Sequence, residues 1–359
     1  MKVLRTTLAA AFLVLVAGAP TVQAQPVVNE KALPKGTTAA QAIASLEAAR
    51  KKMKSLDDER AATFAKANDA AGAYLAPMRK KAEDLAKSDK AYRAFLDTQK
   101  STFSAQKGDP VTLLREHYAK NRDLFDRVYK LSGGDPSKDG AFLTKVFANY
   151  NPTVQRLKDS ILAFAARQIA ASLPPPGAPV TLAPPYAIQD AGTQKLCAGI
   201  SDASASASPA CRFDLHAFAV EGVCTCSALG FASVYVQMPA NTTTMEISVS
   251  YDAHYKLTAA ASIFSGGYTR ASMAILVQDV TSNAVMHSTV APIDDVLAFM
   301  FLAEKDLPAA GAFNTSASLT AGKQYLITFR PAVFAESVNA SWAEGNLSST
   351  PTSFNCSFR

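Results

Sequence analysis

The stretch Pro174-Pro175-Pro176-Gly177-Ala178-Pro179-Val180-Thr181-Leu182-Ala183-Pro184-Pro185 separates two kinds of chain. Residues 25–173 carry 26 Lys/Arg against 17 Asp/Glu, whereas residues 174–359 carry 8 against 13 and hold all five cysteines. Extended at about 3.1 Å per residue, these twelve residues reach up to about 37 Å, so the stretch reads as a semi-rigid spacer or a segment packed along a domain edge. The expected fold is α + β and multidomain. A helical bundle or helical hairpin occupies 25–173, a proline-rich linker 174–186, and an antiparallel β-sandwich of jelly-roll type 187–359.

On the basic side, Ile43, Leu46, Ala49, Met53 and Leu56 recur at helical spacing, which predicts an amphipathic helix from Thr38 to about Tyr74. Pro77 is expected to kink or end it, with a second helix from Met78 to about Phe103. Gly108-Asp109-Pro110 signals a new start, and the helix it opens carries Leu113, Leu114, Tyr118, Phe125, Val128 and Tyr129 up to Gly133-Gly134. Val154, Leu157, Ile161, Leu162, Phe164 and Ile169 line the last helix. Short turns between such helices make a bundle.

Further upstream, Lys2 and Arg5, the apolar run Leu8 to Ala19 and the small-residue site Val22-Gln23-Ala24 predict a secretory signal peptide over residues 1–24. The run is shorter than the roughly 20 residues that cross a bilayer. The mature chain is therefore expected to lack a transmembrane segment and to be secreted or periplasmic. In that compartment Cys197, Cys211, Cys224, Cys226 and Cys356 read as disulfide partners. Cys224 and Cys226, two apart on a strand, do not bridge each other without strain. The expected closures join Cys197 to Cys211, and Cys356 to Cys224 or Cys226, with one thiol left over. A zinc site from Cys224, Cys226 and His216 matches no standard spacing.

After Pro185, Ser, Thr, Val, Ala and aromatics dominate, and apolar and polar residues alternate with period two in several runs separated by turn signals such as Ser265-Gly266-Gly267 and Ala321-Gly322. Seven to nine short strands follow. From Glu246 to Lys256 the alternation puts Ile247, Val249, Tyr251, Ala253 and Tyr255 on one face, and Ser248, Ser250, Asp252 and His254 on the other. Ser250, Asp252 and His254 suggest a hydrolase row. Neighbours on one strand face stand about 6.5 to 7 Å apart, too far for a nucleophile-to-base bond of about 3 Å; a solvated face or one wall of a ligand groove is expected instead. The apolar run Val296 to Ala303 reads as a buried strand or core helix.

Asp135, Ser137, Asp139 and Gly140 resemble the start of an EF-hand calcium loop, but the twelfth position is Val146, where a bidentate carboxylate belongs. A capped turn is expected there, and no metal. The basic patches Arg50 to Lys54 and Arg79 to Lys81 are interleaved with acids, as solvated helix faces are, and no nucleic-acid partner is expected. Asn241, Asn314, Asn339, Asn346 and Asn355 begin N-x-S/T triplets, which a Ser/Thr-rich chain generates by chance.

The sequence contains no G-x-S-x-G, H-E-x-x-H, P-loop or Rossmann fingerprint, and no cofactor is implied. The best-fitting class is an exported, non-enzymatic binding or structural protein, its sandwich recognising a glycan or a cell-surface protein through Tyr251, Asp252, His254, Tyr268 and Trp342. A secreted hydrolase built from separate strands, with His216 or His254 beside Asp252 or Glu221, is the alternative. A membrane-active, toxin-like protein using the basic helices and the Val296 to Ala303 run is the third.

Overall fold

Thr38 opens the first helix with a capping box: its hydroxyl accepts from Gln41 N at 3.2 Å, and Gln41 Oε1 accepts from Thr38 N at 2.8 Å. The computed structural model describes residues 26–105, 116–117, 119–146, 177–197, 200–220, 224–261, 266–299, 302–338 and 341–359. The expectations for the leader, for Gly108 to Pro110, for the helix lined by Val154 to Ile169, for Pro174 to Pro176, for Glu221 and for Asn339 lie outside these residues.

Helix α1 (Ala39–Ser88) runs through Pro77, where the sequence predicts a kink or an end. Proline forfeits a main-chain bond there, but Leu75 and Ala82 on either side are both buried in one cluster, and tertiary packing of this kind holds a helix that local propensity would break. The stop comes instead at Asp89, whose carboxylate accepts from Ala91 N and Tyr92 N at 3.0 Å and starts α2 (Lys90–Ala105). Helix α3 (Arg122–Leu131) buries Phe125, Val128 and Tyr129. It ends at Gly133, whose φ of 91° is the left-handed conformation of a helix stop. Helix α4 (Pro136–Val146) follows.

The strands are β1 (Val27–Val28), β2 (Gly177–Leu182), β3 (Ile188–Cys197), β4 (Ile200–Ala207), β5 (Phe213–Val220), β6 (Cys224–Gln237), β7 (Thr244–Ala261), β8 (Gly266–Asp279), β9 (Val285–Phe299), β10 (Leu302–Ser318), β11 (Gln324–Val338) and β12 (Ser341–Phe358). They form two antiparallel sheets. Sheet A has the order β1-β3-β6-β11-β8-β9; sheet B has the order β10-β7-β12-β5-β4, with β2 added beside β12. Part of the proline stretch is thus a strand at the margin of sheet B, where Pro179 is tolerated because it breaks no central ladder. Tyr186, just beyond it, is buried and donates to Pro351 O at 3.1 Å.

Between the sheets, Phe213, Ile247, Val249 and Leu257 meet Met273, Ile275, Ile327 and Phe329 in one core. The layers approach closely at Gly345, where a Cβ would lie 2.3 Å from Val333 Cγ2. Val296 and Ala298 belong to this core, so that much of the apolar run is interior strand. Met300 and Phe301 lie outside the described residues, among which no helix is long and apolar enough to cross a membrane.

The outer face of sheet A is covered by α1. Ala42 and Leu46 pack on Ile188, Phe231, Leu326 and Phe334; Ala49 and Met53 on Ala274 and Leu276; Ala67 and Ala71 on Tyr268. Two ion pairs fasten this helix: Asp57 to the fully buried Arg330, at 2.5 and 3.2 Å, and Arg50 to Asp190. Farther along, Leu75 and Ala82 join Tyr92, Phe95, Phe125 and Val128 over Val220, Ala260 and Trp342 at one end of sheet B. The described helices leave the rest of the outer face of sheet B open. This difference explains the burial patterns: β6 and β8 are buried almost continuously, whereas β7 up to Leu257 and most of β12 alternate.

The cysteine expectations are corrected. Cys211, Cys226 and Cys356 are free and buried, so neither the Cys197 to Cys211 closure nor one through Cys356 forms. Cys224 is disulfide-bonded, and the residue facing it across the β3–β6 ladder is Cys197. Register, not loop length, sets that neighbour. Burial pushes the thiols of Cys226 and Cys356 up to about 12, where they stay protonated and weakly nucleophilic.

Candidate functional site

Antiparallel pairing puts directly opposed residues on the same face, so the register writes out the open face of sheet B. His254 of β7 faces Ser348 of β12 and Pro308 of β10, and Lys256 faces Asn346 and Asp306. Asn346 in turn faces His216 of β5, and His216 faces Ser204 of β4. Ser204, Ser206, Asp214, His216, His254, Lys256, Asn346 and Ser348 line a groove of about 330 Å³. A second groove of about 590 Å³ lies on the same face toward the other end of the strands, among Thr181, Glu246, Ser248, Asn314, Ser316, Asn355, Ser357 and Arg359.

Neighbouring carboxylates hold the polar groups of the first groove in place. His216 Nε2 lies 3.2 Å from Glu344 Oε1, which also accepts from Asn346 Nδ2 at 3.3 Å. His254 Nε2 lies 3.1 Å from Asp306 Oδ1, and Lys256 Nζ lies 3.6 Å from Glu304 Oε1. In the second groove Glu246 accepts from Ser357 and pairs with Arg359 at 3.7 Å. Acids prevail over the face: Asp214, Glu246, Asp252, Glu304, Asp306 and Glu344 stand against Arg212, Lys256 and Arg359.

Of the residues singled out from sequence for glycan or protein recognition, only Asp252 and His254 lie exposed on this face; His216 of the hydrolase alternative joins them there, half-buried in the first groove. Tyr251 points between the layers and stacks on Phe329, ring centroids 6.1 Å apart. Tyr268 is buried beneath α1 on the opposite sheet. Trp342 shares the outer face of sheet B but is sealed under the helices beside Phe218. The aromatic platform expected for sugar stacking is therefore not assembled by these residues. Asn314, Asn346 and Asn355 were legible only as members of N-x-S/T triplets, yet they line the grooves. Their strand positions opposite His216 and Glu246-Ser248 needed the register. The Asp135 turn is a helix cap: its carboxylate accepts from Ser137 N and Lys138 N, while Asp139 turns inward and accepts from the hydroxyls of Tyr74 and Tyr129.

Two arrangements bear on hydrolysis. Ser348, His254 and Asp306 adjoin one another across three strands, but the Nε2 of His254 is engaged by Asp306. The backbone N–H groups of a central strand are also spent on the ladder, which leaves no main-chain donors there for a developing oxyanion. Asp294 and Asp295 have pKa values displaced in opposite directions. Burial resists ionisation of Asp294, but bonds from Lys305 Nζ at 2.6 Å and the Tyr255 hydroxyl at 2.8 Å outweigh it and lower its pKa. Burial pushes Asp295 up to about 6 against the opposing charges of Arg270 and Lys305. Adjacent residues of a strand face opposite ways, so these two carboxylates do not share a substrate.

Asp295 instead governs stability. Its native carboxyl holds a proton more tightly than an unfolded one near 3.9. The native state gains this stabilisation in full below about pH 4 and loses it as pH rises through about 6. Asp295→Asn is expected to flatten the pH dependence of urea unfolding over that window and to raise stability at pH 7 by roughly 1–3 kcal/mol.

No family model matches the chain, and no curated protein matches it. Similar solved structures include the enzymatically active domain of bacteriophage CBA120 tailspike protein 4, with a TM-score of 0.22 and 8% identity over 45% of this chain and 19% of that one. TmCBM61 in complex with β-1,4-galactotriose has a TM-score of 0.16 and 9% identity over 50% of this chain and 88% of that one. A family 11 carbohydrate-binding module from Clostridium thermocellum, in complex with a β-1,3-1,4-mixed-linked tetrasaccharide, has a TM-score of 0.17 and 7% identity over 45% of this chain and 89% of that one. At these scores the likeness establishes neither fold nor ligand.

Proposed function

We propose that this protein is a non-enzymatic glycan-recognition protein whose ligand lies on the open face of sheet B. The observation that carries this is the groove around His216, His254, Lys256, Asn346 and Ser348 on the part of the sandwich surface that the described helices leave uncovered. Its side chains are hydroxyls, amides, imidazoles and carboxylates, the donors and acceptors that a polyhydroxylated ligand satisfies.

Other partners fit the surface less well. A stable protein interface needs an apolar, aromatic-rich centre, and this groove supplies none. Nucleic acid and anionic lipid need positive charge, whereas this face is acidic. A neutral glycan meets neither obstacle. The strand orders β5-β12-β7-β10 and β6-β11-β8-β9 support a jelly roll, an architecture that lectin domains use; that support is by analogy. Export, inferred from the leader over residues 1–24, would put such a ligand outside the cytoplasm, with the helical segment as the carrier of the sandwich.

The test is a glycan array followed by titration calorimetry on the full chain. Asn346→Ala and His254→Ala are each expected to weaken binding of the best neutral glycan about tenfold, the loss of one to two hydrogen bonds, with unchanged thermal unfolding. Full affinity in both variants would move the site elsewhere.

A further inference from the structure

We infer, on the basis of that glycan reading, that the ligand is an extended chain of neutral sugars that occupies both grooves at once. The two grooves share strands. Lys256 and His254 line the first, and Ser248 and Glu246 of the same strand line the second. At about 3.3 Å per residue, the six steps from His254 to Ser248 span about 20 Å. A mono- or disaccharide does not reach from one to the other.

The ground between them is low. Along β7 it is formed by Ser250 and Asp252, facing Ala312 and Ala310 on β10 and Ser353 and Thr350 on β12. No side chain in these rows is larger than aspartate, so none stands up as a wall. Larger side chains return at the ends, with Lys256 and His216 at one and Glu246 and Arg359 at the other. β12 also shifts register between Pro351 and Ser353, and a bulge of this kind sharpens the local twist. A chain lying on this face therefore follows a curved path along the strands, with Asn346 and Asn314 as amide contacts near its two ends. The acidic balance excludes sulfated and uronic-acid polymers, whose charges would face Glu246, Asp252, Asp306 and Glu344 unpaired.

Binding of malto-, cello- and laminari-oligosaccharide ladders, from disaccharide to octasaccharide, tests this on the full chain by calorimetry. Affinity is expected to rise at least about tenfold with length for one ladder and then level off once both grooves are filled. In the Asn314→Ala/Asn355→Ala double variant that gain should vanish, with an unchanged melting temperature certifying the fold. Equal affinity for the shortest and longest members, or a full length gain in the double variant, overturns the two-groove inference while leaving single-groove glycan recognition standing. No binding of any neutral ladder removes the glycan reading itself.

Discussion

Asp57→Ala is expected to destabilise the protein by about 3–5 kcal/mol, because it leaves the guanidinium of Arg330 buried without its counter-charge. Arg330 is fully enclosed, its Nη1 and Nη2 bonded to the two Asp57 oxygens at 2.5 and 3.2 Å, and its Nε finds no acceptor among the described residues. The ring of Phe334, 5.9 Å from the guanidinium carbon, offers a cation–π contact worth far less than a lost carboxylate. Urea unfolding measures the effect. Arg330→Met in the same chain should recover most of it, since two apolar groups carry no desolvation cost. A loss under about 1 kcal/mol for Asp57→Ala would mean that water reaches Arg330 and that α1 is not closed over sheet A.

That ion pair also marks where the sequence stopped being informative. Asp57 and Arg330 lie 273 positions apart, one in a helix read as a bundle member and the other in a strand read as sandwich. Nothing local in either stretch says that they meet. The alternation from Glu246 to Lys256 was legible because one face of β7 is wet, and Ile247, Val249 and Leu257 are indeed buried. β11 was harder to read. Tyr325, Leu326, Ile327, Phe329 and Ala332 are all buried because α1 covers the face that would otherwise be polar. The same cause misdirected the aromatic candidates. Exposure of Tyr268 and Trp342 depends on whether a helix about 200 or more residues earlier in the chain lies over them, and periodicity carries no such information. Among the site residues, His254 was found through its alternation with Tyr255, whereas Asn346, Asn314 and Asn355 needed strand register to show that they share its face.

Trp342 separates packing from recognition more sharply than any other residue. It is 1% exposed, stacked edge-on against Phe218 with ring centroids 6.0 Å apart, and enclosed by Leu75, Tyr92, Phe95 and Phe125 of the helices. Trp342→Ala is therefore expected to cost about 3–5 kcal/mol through the cavity it leaves between helices and sheet. Its indole Nε1 has no hydrogen-bond partner among the described residues, so Trp342→Phe should lose apolar contact but no hydrogen bond, and cost under about 2 kcal/mol. Chemical denaturation reads both. The informative comparison is with glycan binding: Trp342→Phe, still folded, should bind neutral oligosaccharides as the unaltered chain does, because the helices seal the indole from the face that carries His254 and Asn346. A Trp342→Phe chain that unfolds normally but no longer binds would instead place the indole in contact with sugar. Such a result would require α1 to α3 to lift from sheet B when ligand arrives, extending the recognition face by the area that those helices now cover.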